Sequence, residues 1–311
     1  MIVTATGDDW IRPDGCLGLA NHGTLDADIG DDSISASGFT NRLNIYDPCP
    51  EEALGDAGVV NTGLIHLGQG NDSLLCSGRT IGLRNEGAIR FGFGADRLAV
   101  DASPAGLENK GSILMGLGAD SILVNALQSV AIDNTGNLAT GPGHDTIEFS
   151  SFGGGPSLIN RANGQIRMGS GDDVLRNSSP PPYDSIFSPQ GSRPVLNDGL
   201  IDLGDGNDLV DCLVDQSASS SPVQPGYLGS GRLTLGRGND TLRGFGDGTF
   251  LGGTGLDTLV LPPGTYHLQS VSADQCLIAG RMLVSGFEAF GTGADRSSFE
   301  AALAFGSVTF N

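Results

Sequence analysis

The sequence predicts an all-β chain: a right-handed parallel β-helix, or β-roll solenoid, with an asparagine ladder and stacked Gly-x-Gly-x-Asp turns. Three observations carry this. Glycine makes up 50 of 311 residues, against a usual share of about 7%. Two short motifs recur in fixed order along most of the chain. Between them, apolar residues alternate with period two, the mark of strands with one buried face.

The composition narrows the class before any motif is read. Asp plus Glu number 36 and Lys plus Arg 16, giving a net charge of −20. The acids are 29 Asp and 7 Glu, and Lys110 is the sole lysine. Asp and Gly favour turns, whereas Glu and Lys favour helices, so the composition argues against an all-helical protein. The charge argues against binding nucleic acid through its phosphates and favours a cationic partner. The segment from Met1 to Trp10 has no basic region followed by an apolar one, and no apolar run reaches membrane-spanning length. Five cysteines at irregular spacing form neither a disulfide framework nor a zinc pattern. Cys76 and Cys212 fall at apolar core positions. Cys16 and Cys49 lie in irregular segments, where a pair between them stays open.

The first motif is Gly-x-Gly-x-Asp. It comprises Gly68, Gly70 and Asp72; Gly92, Gly94 and Asp96; Gly116, Gly118 and Asp120; Gly141, Gly143 and Asp145; Gly169, Gly171 and Asp173; Gly204, Gly206 and Asp208; Gly236, Gly238 and Asp240; and Gly253, Gly255 and Asp257. A further copy ends at Asp295, and degenerate copies end at Asp9 and Asp32. The second motif, Asn-x-Gly-x-(Ile/Leu), begins at Asn21, Asn61, Asn85, Asn109, Asn134 and Asn197, with a slipped copy around Asn160 and Asn163. The distance from this motif to the following Asp is nearly constant, so length variation falls between the Asp and the next Asn. Three short strands and three turns in about 24 residues make one coil of a β-helix, which buries its core only against its neighbours. Asn tolerates left-handed geometry, and its amide can bond the Asn above and below.

Two readings of the aspartates follow. They can cap their turns by accepting backbone N–H groups. They can also hold Ca²⁺ between consecutive coils, because stacked turns at strand spacing together supply more oxygens than one turn does. The columnar order of the copies favours calcium.

The segments at 203–210, 235–242 and 252–260 resemble the haemolysin-type, or RTX, calcium-binding nonapeptide Gly-Gly-x-Gly-x-Asp-x-(apolar)-x. The resemblance implies Ca²⁺ in the turns, export by the type I secretion machinery with an uncleaved C-terminal signal, and folding outside the cell. This sequence departs from that family in its period: the motif recurs about every 24 residues, and only the step from Asp240 to Asp257 is short. One row of sites is therefore expected, not two.

Residues 1–260 are expected to form the solenoid, and residues 261–311 a C-terminal cap that also carries the export signal. Insertions near 37–57, 178–194 and 213–227 share one place in the coil and should project from one side. Through them the chain could engage a cell-surface polysaccharide or protein. The expected function is a secreted, calcium-binding solenoid with a structural, adhesive or cell-surface role. The alternative is a polysaccharide lyase or epimerase, which needs a base, an acid and a positive clamp in one groove. His22, His66, His144, His267, Tyr46, Tyr183, Tyr227 and Tyr266 are scattered over distant coils, so no catalytic constellation is read, although Tyr46 and Arg42 share the first insertion.

Overall fold

The computed structural model describes residues 2–3, 7, 9–11, 14–15, 17–38, 57–153, 155–179, 193–213, 225–292 and 296–310. Cys16, Arg42, Tyr46, Cys49, Tyr183, Asp295 and most of the three insertions lie outside these residues.

One regular coil shows why these residues fold as they do. Ala57–Asn61, Leu64–Gln69 and Ser73–Gly78 are its three strands, and the next coil repeats them as Ile81–Asn85, Ala88–Phe93 and Arg97–Ala102. Each strand pairs in parallel with its counterpart one coil on: Asn61 with Asn85, Ile65 with Ile89, Leu74 with Leu98. Stacking gives three sheets of 14, 13 and 8 strands among the described residues. We call these the first sheet (after each Asn), the second sheet (after each Asp) and the third sheet (ending in each Asn). The chain is thus a parallel β-helix.

Period two in sequence becomes inside and outside in space. Ile65 and Leu67, Ile89 and Phe91, and Ile113 and Met115 line the interior from the first sheet. Leu74 and Cys76, Leu98 and Val100, and Ile122 and Val124 do so from the second, and Val59, Leu83 and Leu107 from the third. These belong to one continuous core that runs the length of the stack. Cys76 and Cys212 are fully buried within it, and burial pushes the Cys212 thiol up to about 12. They act as small apolar residues, as the sequence suggests.

Departures from the regular coil are local. The slipped motif keeps Asn160, not Asn163, in register with Asn134 and Asn197. The extra residues form a tight turn closed by the Gly164 N–H on the Arg161 carbonyl. The short step to Asp257 drops the third-sheet strand, leaving one bridge between Tyr227 and Gly246. The chain leaves the described residues at Gly38, Ser179 and Leu213 and re-enters at Ala57, Arg193 and Pro225. All three gaps fall between a second-sheet strand and the next third-sheet strand, so the insertions are attached at one corner.

The C-terminal segment closes the stack with antiparallel pairing. Met282–Ser285 and Ala289–Gly291 add the last parallel rungs to the first and second sheets. Gln275–Ile278, Gly264–Ser270 and Ser307–Phe310 then continue the first sheet antiparallel. A helix, Phe299–Phe305, is N-capped by Ser298 and ends at Gly306 in the left-handed region. Antiparallel strands and a helix blunt a sheet edge that would otherwise template further pairing.

Candidate functional site: the aspartate corner

The Gly-x-Gly-x-Asp turns join the first sheet to the second and stack in register. Their glycines are required. In the turn ending at Asp96, Gly94 has φ +142°. A Cβ there would collide with the carbonyl oxygen of Gly70 in the preceding coil. That oxygen therefore aims at the Gly94 Cα–H, a weak contact that recurs where backbones approach closely. The same clash recurs at Gly118, Gly171, Gly206, Gly238 and Gly255.

This geometry turns the aspartates inward. Asp72, Asp96, Asp120, Asp145, Asp173, Asp208, Asp240 and Asp257 are at most 2% exposed. Each Oδ1 accepts the backbone N–H of the aspartate one coil earlier: Asp72 to Asp96 at 2.8 Å, Asp96 to Asp120 at 2.8 Å, Asp208 to Asp240 at 2.7 Å. The chain of bonds is unbroken from the Asp9 N–H on Asp32 to the Asp240 N–H on Asp257. The cap then ends it: Glu288 Oε2 accepts the Asp257 N–H at 2.7 Å. Degenerate Asp32 takes a full place, because it keeps the carboxylate and Gly30, whose φ is +147°.

The second carboxylate oxygen is the unusual one. Oδ2 is buried without a hydrogen-bond partner in Asp72, Asp96, Asp120, Asp145, Asp173, Asp208, Asp240 and Asp257. At Asp257 it lies on the inner side of the turn: a Cβ on inward-facing Gly252 would come within 2.8 Å of Asp257 Oδ2. A buried, unbonded carboxylate oxygen strongly favours the neutral acid. Burial is the main cause that pushes Asp96, Asp173 and Asp208 up to about 7 and Asp72, Asp120 and Asp257 up to about 6. The backbone N–H from the preceding coil opposes the shift. The neighbouring carboxylates add to it, as Asp120 and Asp72 do at Asp96.

A second ladder runs outside the first, and the motif reading missed it. The residue before most of these aspartates also bonds along the stack, in the opposite direction. The Asn71 N–H donates to Asp31 Oδ1 at 2.7 Å and the Ala95 N–H to Asn71 Oδ1 at 2.8 Å. Further along, the N–H groups of Asp172, Asn207, Asn239 and Leu256 donate to His144 Nδ1, Asp172, Asn207 and Asn239. Ala95 and Ala119, which lack an acceptor side chain, interrupt it. The signal was present in sequence as Asp, Asn and His at the "x" before Asp, hidden by the alternation with Ala. The two directions follow from the extended chain, in which successive N–H groups point to opposite sides.

The asparagine corner is built on the same principle. Nδ2 of Asn61 donates to Asn85 Oδ1 at 2.8 Å, Asn85 to Asn109 at 2.8 Å and Asn109 to Asn134 at 2.8 Å. The row extends from Asn21 to Asn197. Each amide also donates to a carbonyl of the next coil, as Asn109 does to Asn137 O at 3.1 Å.

These contacts decide whether the turns suit the calcium ion that the resemblance implies. Ca²⁺ takes about six to eight oxygens. Here Oδ1 and the Asp carbonyl are both bonded to neighbouring coils, as is the carbonyl between the two glycines. The glycine carbonyls aim at the next coil. Among the described residues, no three His, Cys, Asp or Glu side chains gather as a metal site. The turns as folded do not present the donor set of a calcium ion.

The residues weighed for catalysis stand apart. His66 Nδ1 lies 3.0 Å from Asp26 on the exposed face of the first sheet, and His22 pairs with Thr62. Tyr227 and Tyr266 are buried, their hydroxyls donating to the carbonyls of Arg243 and Pro262. His267 lies in the cap, paired with Ser307. A cavity of about 540 Å³ in the cap is lined by Cys276, Phe287, Glu288 and Leu303, and its Glu288 already serves the aspartate ladder. No protein-family model and no curated protein matches this sequence.

Proposed function

We propose that this protein is a structural or adhesive β-solenoid working outside the cell or at its surface, a stiff scaffold that presents inserted loops from one corner. The observation that carries this reading is the continuity of the inner ladders. The asparagine row spans Asn21 to Asn197 and the aspartate row Asp9 to Glu288, so two corners are tied from coil to coil for most of the stack. The remaining corner takes all three large insertions. A scaffold that fixes two corners and varies the third suits presentation of a binding face. The class of partner it fits is a surface polysaccharide or protein, with a basic partner favoured by the net charge of −20.

The test is binding to a panel of surface polysaccharides and to intact cells, comparing the full chain with a variant whose segments 39–56, 180–192 and 214–224 are replaced by short turns. The reading expects both to give the same β-sheet circular-dichroism spectrum and the variant alone to lose binding. Binding that survives loop replacement, or a full chain that binds nothing in the panel, contradicts it. Fractionation of the producing cells tests the location: the reading expects the chain in the medium or on the surface, not in the cytosol.

A further inference from the structure

We propose that the Gly-x-Gly-x-Asp column is an aspartate ladder, a metal-free hydrogen-bonding spine closed by Glu288, and not a row of calcium sites. This inference does not rest on the adhesive reading, although both draw on the continuity of the aspartate row: it concerns what holds the coils together.

Four observations carry it. Each carboxylate points into the stack, and its Oδ1 is occupied by the N–H of the coil before. The remaining oxygen is buried without a hydrogen-bond partner, on the inner side of the chain that Asp72 shares with Leu74 and Cys76. The turn's own oxygens are directed along the stack: Gly94 N–H bonds the Leu117 carbonyl at 2.9 Å and Arg97 N–H the Asp72 carbonyl at 2.8 Å. Finally, the column has a protein-made end. Glu288, outside any Gly-x-Gly-x-Asp motif, reaches the Asp257 N–H with a carboxylate oxygen and takes the place of a next aspartate. A metal row has no need of such an end group, whereas a ladder of N–H donors does: the last donor, Asp257, would otherwise lie buried without an acceptor.

The ladder also explains the tolerance of the motif. Asp32 lacks the glycine two residues before Gly30, yet its carboxylate receives the Asp9 N–H at 2.8 Å. The spacing between consecutive ladder members varies from 17 to 40 residues while the bond stays between 2.7 and 2.9 Å. What stays constant is the side-chain acceptor and the glycine two residues before it.

The experiment compares the melting temperature of the full chain with Asp120→Asn, Asp120→Ala, Glu288→Gln and Glu288→Ala, each in chelator and in millimolar calcium. Asn and Gln keep a carbonyl oxygen to accept the N–H but give up the charge a metal needs; Ala gives up both. The ladder predicts that each amide variant melts several degrees above its alanine counterpart, and that calcium shifts none of the five by more than the error. Two results would overturn it. One is an Asp120→Asn variant as damaged as Asp120→Ala. The other is a saturable calcium-dependent rise in melting temperature of the wild type that Asp120→Asn diminishes. Should Asp120→Ala fail to fold, the Glu288 pair and the wild-type calcium titration still decide the question.

Discussion

At the scale of the residue, one carboxylate has two tasks. Asp96 uses Oδ1 to accept a neighbour's N–H and leaves Oδ2 in the core. Its value, about 7, is set chiefly by burial. Because this lies above the unfolded value of about 3.9, the neutral acid is bound more tightly by the folded chain. The resulting stability is fully present below pH about 4 and is lost as pH rises through the folded values of about 6 to 7. Glu108 runs the other way. Burial raises it, but the bonds from Lys110 and Arg84 outweigh this and hold it below its ordinary value, so its contribution fades in acid. Aspartates with raised values outnumber it. In chelator, the melting temperature should therefore be higher near pH 5 than near pH 8, and Asp173→Asn should flatten the profile. A melting temperature that rises steadily toward pH 8 would count against the buried column. That the aspartates sit at one corner was legible from spacing. Which way they face was not: it depends on the positive φ of the glycines before them, and the same letters serve an outward metal ligand or an inward cap.

At the scale of the element, the corners differ in how hard they are to alter. Asn109 is fully buried; it donates to Asn134 Oδ1 and Asn137 O and accepts from Asn85. Asn109→Ala leaves buried partners on both sides, each at a cost of about 1–3 kcal/mol. Chemical denaturation should show the loss as a lower midpoint. Gly94→Ala combines a φ of +142° with a clash against backbone that cannot move aside. It should destabilise by more than about 1 kcal/mol, where Gly155→Ala, with nothing near its Cβ, should be close to neutral. The strands themselves were plain in the sequence, because period two and fixed spacing mark them twice over. The slipped copy was harder. Asn160 and Asn163 both precede Gly164, and only the register with Asn134 decides between them. Glu288 was invisible as a ladder member because it comes from the cap and follows no repeat.

At the scale of the whole molecule, stability is spread along one axis, each coil resting on its neighbours. The described chain breaks off and resumes for all three insertions at the corner between the second and third sheets, and the described ladder bonds keep their length across each gap. Replacing 180–192 by a short turn should accordingly shift the melting temperature far less than Asn109→Ala does. The net charge of −20 takes on a different meaning too. A share of the 29 aspartates lies buried in the column, so the folded chain should be less negative at neutral pH than its sequence, without bound metal. Electrophoretic mobility of the folded chain against the unfolded chain checks this, with a smaller effective negative charge expected on folding. The most direct measurement is equilibrium dialysis of the folded full-length protein against calcium. A metal-free ladder predicts fewer than about one tightly held ion per chain, with circular dichroism unchanged by chelator. Bound calcium that rises toward one ion per Gly-x-Gly-x-Asp turn, with β-sheet lost on chelation, would contradict it.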